Sequence, residues 1–246
     1  MAKNNPAPST LPPKPTEWQR VGAEFIGTFS LTFAAAGADA VEYATNGAIG
    51  HVARYIAPAL VVMAMIWSLS GISGAHINPA VTLAFAARRC FPLFRIPGYL
   101  LAQFAGGIAA AALLYGLLGH SIAHGANAPQ PPFNDMQGLA TEIVLSFILV
   151  FTILATAEEA AVVGKNAALA IGAIIAMCGL AFSPLSGASM NPARSLGPAI
   201  IAGNLQHVWL YLVGPLAGAV VAAVVVHLIF GSASESEREA AHGKHQ

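Results

Sequence analysis

Ser73-Gly74-Ala75-His76-Ile77-Asn78-Pro79-Ala80-Val81-Thr82 and Ser186-Gly187-Ala188-Ser189-Met190-Asn191-Pro192-Ala193-Arg194-Ser195 are two copies of one decapeptide, identical at six of ten positions. Each copy opens a moderately apolar stretch, 73–88 and 186–201, too short to cross a bilayer and suited to a re-entrant segment. Asn is a preferred helix N-cap, and Pro suits the first helical position because its missing N–H would be unpaired there anyway. The pattern therefore predicts two half-helices, one capped by Asn78 and running from Pro79 and Ala80, the other capped by Asn191 and running from Pro192 and Ala193.

The chain around these copies is built for lipid. Of its 246 residues 56% are hydrophobic and 9% charged, with a mean hydropathy of +0.66. A soluble domain needs about 25% charged residues to cover its surface. Six long apolar segments stand out, at 21–38, 56–70, 97–118, 139–156, 167–182 and 207–230. Each half thus holds three spans and one re-entrant element. Three is odd, so the second half must enter the membrane upside down. The predicted fold is an all-α membrane protein with six transmembrane helices and two re-entrant half-helices in an inverted 3+3 repeat. Residues 1–17 are expected to be a disordered tail, too polar for a signal peptide. Residues 18–118 are expected to form the first repeat, 119–138 an extracytoplasmic connection, 139–230 the inverted repeat, and 231–246 a polar cytoplasmic tail with a little helix.

Lys3, Lys14, Arg20, Arg88, Arg89, Arg95, Lys165, Arg238 and Lys244 fall on the side shared by both termini, and only Arg54 and Arg194 on the other. That asymmetry puts both termini in the cytoplasm, at a plasma membrane or a bacterial inner membrane. The formal net charge is zero, so nothing points to nucleic acid.

Inversion aims the two half-helix N-termini at each other near the midplane, each bringing about half a positive charge. Such a field repels protons and cations and leaves the Asn amides free to donate to a neutral oxygen. The non-helical backbone before each Asn is tolerable at that depth only where it lines a water-filled cavity. Arg194 would add charge and donors at the outer mouth; the alternative is an arginine snorkelling to lipid headgroups. Glu24 and Glu142 occupy matching places in the first span of each half, in Glu24-Phe25-Ile26-Gly27-Thr28-Phe29 and Glu142-Ile143-Val144-Leu145-Ser146-Phe147. Intramembrane carboxylates are costly and serve a purpose. A proton relay is one reading; their paired occurrence favours the other, acceptors that brace the N–H groups of each re-entrant loop. His76 is expected to brace its loop or line the pore. Cys90 and Cys178 read as buried structural thiols, and no spacing suggests a metal, a cofactor or an enzyme's nucleophile–base pair.

At these motifs the sequence resembles the aquaporin or major intrinsic protein family, over residues 18–230. Its nodulin-26-like branch is more similar still, on Leu60-Val61-Val62-Met63, Thr82-Leu83-Ala84-Phe85 and Ser195-Leu196-Gly197-Pro198-Ala199. The resemblance implies one pore per subunit, a homotetramer, and passage of water, glycerol, urea and neutral metalloid hydroxides such as arsenous acid. Counting from each Asn carries the family's selectivity constriction onto Pro58, Gly179, Ala188 and Arg194. Strict water channels of the family have Phe and His at the first two of these. Gly179 in place of His implies a wide mouth with one charged wall, and Leu212 also leans toward solute channels. Ser195 leans the other way, toward water channels. Pro58 frees a carbonyl one turn earlier in its span, so a constriction narrowed there to water alone is the alternative. An ion-coupled secondary transporter, in which inverted repeats and broken helices also occur, is the third reading.

Overall fold

The computed structural model describes residues 14–243, apart from the side chains of 161, 162 and 165; most of the N-terminal tail and the last three residues lie outside the described residues. Among the described residues all regular structure is helical. Helix α1 (Glu17–Ala44) starts at a capping box in which the Thr16 hydroxyl accepts from the Gln19 N–H and the Gln19 side chain accepts from the Thr16 N–H. There follow α2 (His51–Ser73), the half-helix α3 (Pro79–Ala87), α4 (Ile96–Leu118) and α5 (Asp135–Glu158). A single turn, α6 (Ala160–Val163), leads to α7 (Ala167–Ser186), the half-helix α8 (Pro192–Ala202), α9 (Val208–Phe230) and α10 (Glu235–His242). Six of these, α1, α2, α4 with its flanking 3-10 turns, α5, α7 and α9, are long and apolar enough to cross a membrane.

The inverted repeat is visible in the packing. Helix α1 lies on α4, and α5 lies on α9 in the same way. Both contacts depend on a glycine. A Cβ on Gly106 of α4 would stand 2.5 Å from the Phe25 carbonyl oxygen, and one on Gly218 of α9 would stand 2.4 Å from that of Ile143. Phe25 and Ile143 follow Glu24 and Glu142, so the same small-residue contact sets the depth of the same carboxylate twice. Where hydrophobic force between helices is absent, such backbone approach supplies the packing energy. Leu101, Val220 and Leu228 are exposed on the outside of the bundle, as a lipid-facing surface requires.

The helices overrun the apolar windows. Helix α1 extends to Ala44, and the 119–138 connection opens with a 3-10 stretch, Gly119–Gly125. Hydropathy marks what sits in lipid, whereas backbone hydrogen bonding continues past it. The larger difference is at the C-terminal end. The polar 231–246 segment contains α10, whose Glu237 and Ala241 are fully buried against the channel body. Arg88, at the end of α3, draws Glu237 in with Nη2 at 2.7 Å and Nε at 3.1 Å from its two carboxylate oxygens, and also donates to the Gly231 carbonyl at 2.7 Å. Arg20 of α1 donates to the carbonyls of Ile72 and His242, at the C-terminal ends of α2 and α10, where a cation offsets the helix dipole.

Candidate transport pore

Helices α3 and α8 begin as their sequences dictate. Asn78 has extended backbone, and its Oδ1 accepts from the Ala80 N–H at 2.9 Å; Pro79 is the first helical residue. Asn191 does the same for Ala193 at 3.0 Å and Arg194 at 3.3 Å, with Pro192 following. The two caps are joined crosswise: Asn78 Nδ2 donates to the Met190 carbonyl at 2.8 Å, and Asn191 Nδ2 donates to the Ile77 carbonyl at 2.9 Å. The half-helix N-termini therefore meet. A primary amide carries two hydrogens on nitrogen. One of each pair is spent on the opposite loop, and the other is left for what passes between them.

The loops leading to these caps are strained in matching places. Gly74, Ala75 and Ile77 in one, and Gly187, Ala188 and Met190 in the other, have positive φ between 45° and 88°. Non-glycine residues occupy that region at a cost of about 1–3 kcal/mol each and persist only when their surroundings over-determine them. Here the surroundings are the two glutamates. Glu24 Oε1 accepts from the His76 N–H at 2.9 Å and the Ser73 hydroxyl at 2.7 Å; its Oε2 accepts from the Ile77 N–H and from Gln103 Nε2, both at 2.7 Å. Glu142 Oε1 accepts from the Ser189 N–H at 2.9 Å and the Ser186 hydroxyl at 2.8 Å, and its Oε2 from the Met190 N–H at 2.8 Å. Tyr99 and Tyr211 complete the frame by donating to the carbonyls of Ser73 and Ser186. Both glutamates are fully buried; Glu24 accepts four bonds, one of them from Gln103 of α4, and Glu142 accepts three.

One cavity of about 550 Å³ passes between the caps, lined by Asn78, Ile77, Asn191 and Met190 at mid-height. Pro58, Gly179, Ala188 and Arg194 line it at one end; Gly164, Ser236, Glu239 and Ala240 line it at the other, where α10 lies. His76 also reaches this lining, and its ring is held among Phe85, Phe91 and Tyr99, with Nε2 donating to the Ala241 carbonyl at 3.1 Å. It thus joins the first loop to α10. Its counterpart Ser189 instead accepts from the Asn191 N–H at 3.3 Å through its hydroxyl. Cys90 and Cys178 are both free and buried.

At the Arg194 end a further residue stands beside Gly179. Tyr55 of α2 occupies the space that a side chain at position 179 would take: a Cβ on Gly179 would fall 2.7–2.9 Å from three Tyr55 carbons. Helix α2 continues through Pro58 without a break. The charged wall contains three groups. Arg54 donates to Asp39 Oδ1 through Nε at 2.8 Å and Nη2 at 2.7 Å, and Arg194 Nη2 lies 3.3 Å from Asp39 Oδ2. Arg194 also donates through Nη1 to the Gly125 carbonyl, at 2.9 Å, and to the Asn127 side chain. Asn127 in turn accepts from the Ser195 hydroxyl at 2.8 Å and donates to the Gly187 carbonyl at 3.1 Å. The guanidinium is thus buried, bonded within the protein and on the cavity lining. Asp39, Tyr55, Gly125 and Asn127 were not singled out from sequence, and Arg54 was noted only for its side of the membrane. A lone aspartate at the end of an apolar span was the one available signal.

Two facing, Asn-capped half-helices over a continuous lumen narrow the comparison to channel proteins. The sequence model of the Major intrinsic protein family matches residues 13–226. Aquaporin NIP1-3 of Oryza sativa subsp. japonica is 44% identical over 211 residues, covering 86% of this chain and 73% of the relative. Aquaporin NIP6-1 of Arabidopsis thaliana is 39% identical over 215 residues, covering 87% and 70%. Among solved structures, the X-ray structure of the aquaglyceroporin from Plasmodium falciparum superposes with a TM-score of 0.76 at 24% identity, over 87% of this chain and 97% of that one. With the fold, the doubled motif and these likenesses in agreement, the chain belongs to the major intrinsic protein family.

Proposed function

We propose that this protein is a passive transmembrane channel for small uncharged solutes, glycerol, urea and neutral metalloid hydroxides such as arsenous acid among them, together with water. The observation that carries this reading is the crossed pair Asn78–Met190 and Asn191–Ile77, which leaves one amide hydrogen on each side of a lumen flanked by two positive helix ends. A molecule with a free oxygen lone pair is met by donors there. A cation is met by two like charges. Asn78, Pro79, Ala80, Asn191, Pro192 and Ala193 form the central gate, and Pro58, Gly179, Ala188 and Arg194 the constriction. Glu24, Glu142 and His76 are positioning residues that hold the loops. The buried glutamates give most of their lone pairs to those loops, which speaks against their use as a coupling-ion site and against a transporter.

The protein sits in a plasma or bacterial inner membrane as a homotetramer with both termini in the cytoplasm; the nine-to-two distribution of Lys and Arg supports that orientation. A nearly water-selective channel is the second reading, and the Tyr55 ring filling the space beside Gly179 favours it. Stopped-flow light scattering on reconstituted vesicles separates the two. Fast water flux together with glycerol and arsenous acid flux is expected; fast water flux with both solutes excluded would establish the second reading. Flux that depended on a proton or sodium gradient would overturn both.

A further inference from the structure

We propose that Asp39 is a specificity-determining residue, which with Arg194 offers one free acceptor beside free donors to a neutral solute carrying several hydroxyl groups. The inference rests on the channel reading above and names the chemistry that its constriction selects. A compact polyol or uncharged polyhydroxy acid entering this mouth loses most of its water. Each hydroxyl then needs both an acceptor for its hydrogen and a donor for its oxygen, and an unmatched group is costly in a dry site. Pro58, Gly179 and Ala188 contribute no polar side-chain atom, arginine only donates, and the Tyr55 hydroxyl at this end is a neutral group, so a charged acceptor is wanting.

Asp39 supplies what is missing. An ionised carboxylate has about four acceptor sites. Arg54 takes two, both on Oδ1, and Arg194 takes one on Oδ2, so one site on Oδ2 stays open among the described residues. Arg194 has five donors. Two on Nη1 are held by Gly125 and Asn127 and one on Nη2 by Asp39, which leaves the Nε hydrogen and a second Nη2 hydrogen without a partner among the described residues. The side chains of Asp39 and Arg194 are 11% and 6% exposed, so neither is satisfied by bulk water, and both face the cavity. An ammonium could use only the carboxylate and an anion only the guanidinium; a hydroxyl uses both. Arg54 and Arg194 both pair with Asp39 and offset its charge where the solute passes, while Glu42, one turn farther along α1, is tied to the Ile49 and Gly50 N–H groups. Water moves in file with other waters and depends less on this pair than a solute that fills the bore.

The test is the ratio of glycerol or boric acid flux to water flux in vesicles containing the full-length channel, wild type, Asp39→Ala, Asp39→Glu and Arg54→Met. Asp39→Ala is expected to lower the ratio by at least about ten-fold, the lower end of what one hydrogen bond to a charged group is worth. Asp39→Glu, which keeps a carboxylate, is expected to restore most of it. Arg54→Met frees Oδ1 and is expected to hold or raise the ratio. If Asp39 merely fixed the fold through its ion pair, Asp39→Ala and Arg54→Met would fall together, and that result overturns the proposal. So does an unchanged ratio in Asp39→Ala. A wild type closed to every hydroxylated solute while passing water would remove the solute-channel reading itself, and this inference with it.

Discussion

Arg88 and Glu237 form a buried ion pair at 2.7 Å, with Glu158 3.7 Å from the same guanidinium, and this is what holds α10 against the end of the lumen. The Cys90 thiol lies beneath it, 3.4 Å from Glu237. Breaking a buried pair from one side strands a charge at a cost of about 3–5 kcal/mol. Glu237→Ala is therefore expected to release α10 and to raise the labelling rate of Cys90 by a water-soluble maleimide at least about ten-fold. Cys178, buried within α7, serves as the reference thiol. Equal Cys90 rates in the two proteins would show that α10 is held by something else.

The same cluster should respond to pH. Burial, aided by the nearby Glu158 carboxyl, pushes the Glu237 carboxyl above the ordinary carboxylate range, although Arg88 pulls it down. A carboxyl whose pKa is raised in the docked form favours docking at low pH, and that contribution is lost as pH rises through the docked-state pKa. Amide exchange in α10, corrected for the intrinsic pH dependence of exchange, is expected to slow as pH falls from about 7 to about 5. Faster exchange on acidification would mean that losing the ion pair outweighs relieving the buried charge.

Glu142 holds a loop containing two non-glycine residues at positive φ, Ala188 and Met190. Glu142→Ala orphans two backbone N–H groups and the Ser186 hydroxyl at once, each of them bonded to a charged acceptor. Such bonds are worth about 1.5–3 kcal/mol apiece. The variant is expected to insert but to lose water flux by more than about ten-fold and to melt earlier in detergent. Water flux within about two-fold of wild type would show that the bonds from Tyr211, Asn127 and the crossed asparagines suffice to hold the loop.

Gly179 and Tyr55 act as one unit. Gly179→Ala puts a methyl within 2.7 Å of Tyr55 carbons, so the ring must shift. Glycerol flux is expected to fall more than water flux. Tyr55→Ala is expected to do the reverse, and Gly179→Ala with Tyr55→Ala to lie near wild type, a coupling that a double-mutant cycle in vesicles would measure. Additive single effects would separate the two positions.

The architecture was legible because it is carried by local rules: hydropathy for the spans, an odd number of spans per copy for the inversion, and Asn-Pro for the start of each half-helix. Glu24 and Glu142 stood out for the same reason, being paired charges where none should be. The remainder of the constriction depends on neighbours far apart in the chain. Arg194 meets Asp39 155 positions away and Asn127 67 away. Tyr55 was hidden by the assumption that a glycine leaves a gap, when a residue on another helix fills it. Helix α10 was hidden by its polarity. Its outward residues dominate the composition, while the contact rests on Glu237 and Ala241, one of which reads as solvated in any hydropathy scale.

Each asparagine hands a hydrogen to the loop of the other half, so neither half can finish its own side of the gate. A nascent chain with only its first three spans inserted has no Met190 carbonyl for Asn78 and no second helix end to oppose the first. On the proposed channel reading, permeation would then await the arrival of the second loop and its asparagine. On that reading the ion barrier and the water path would be completed in the same event, by the same two side chains.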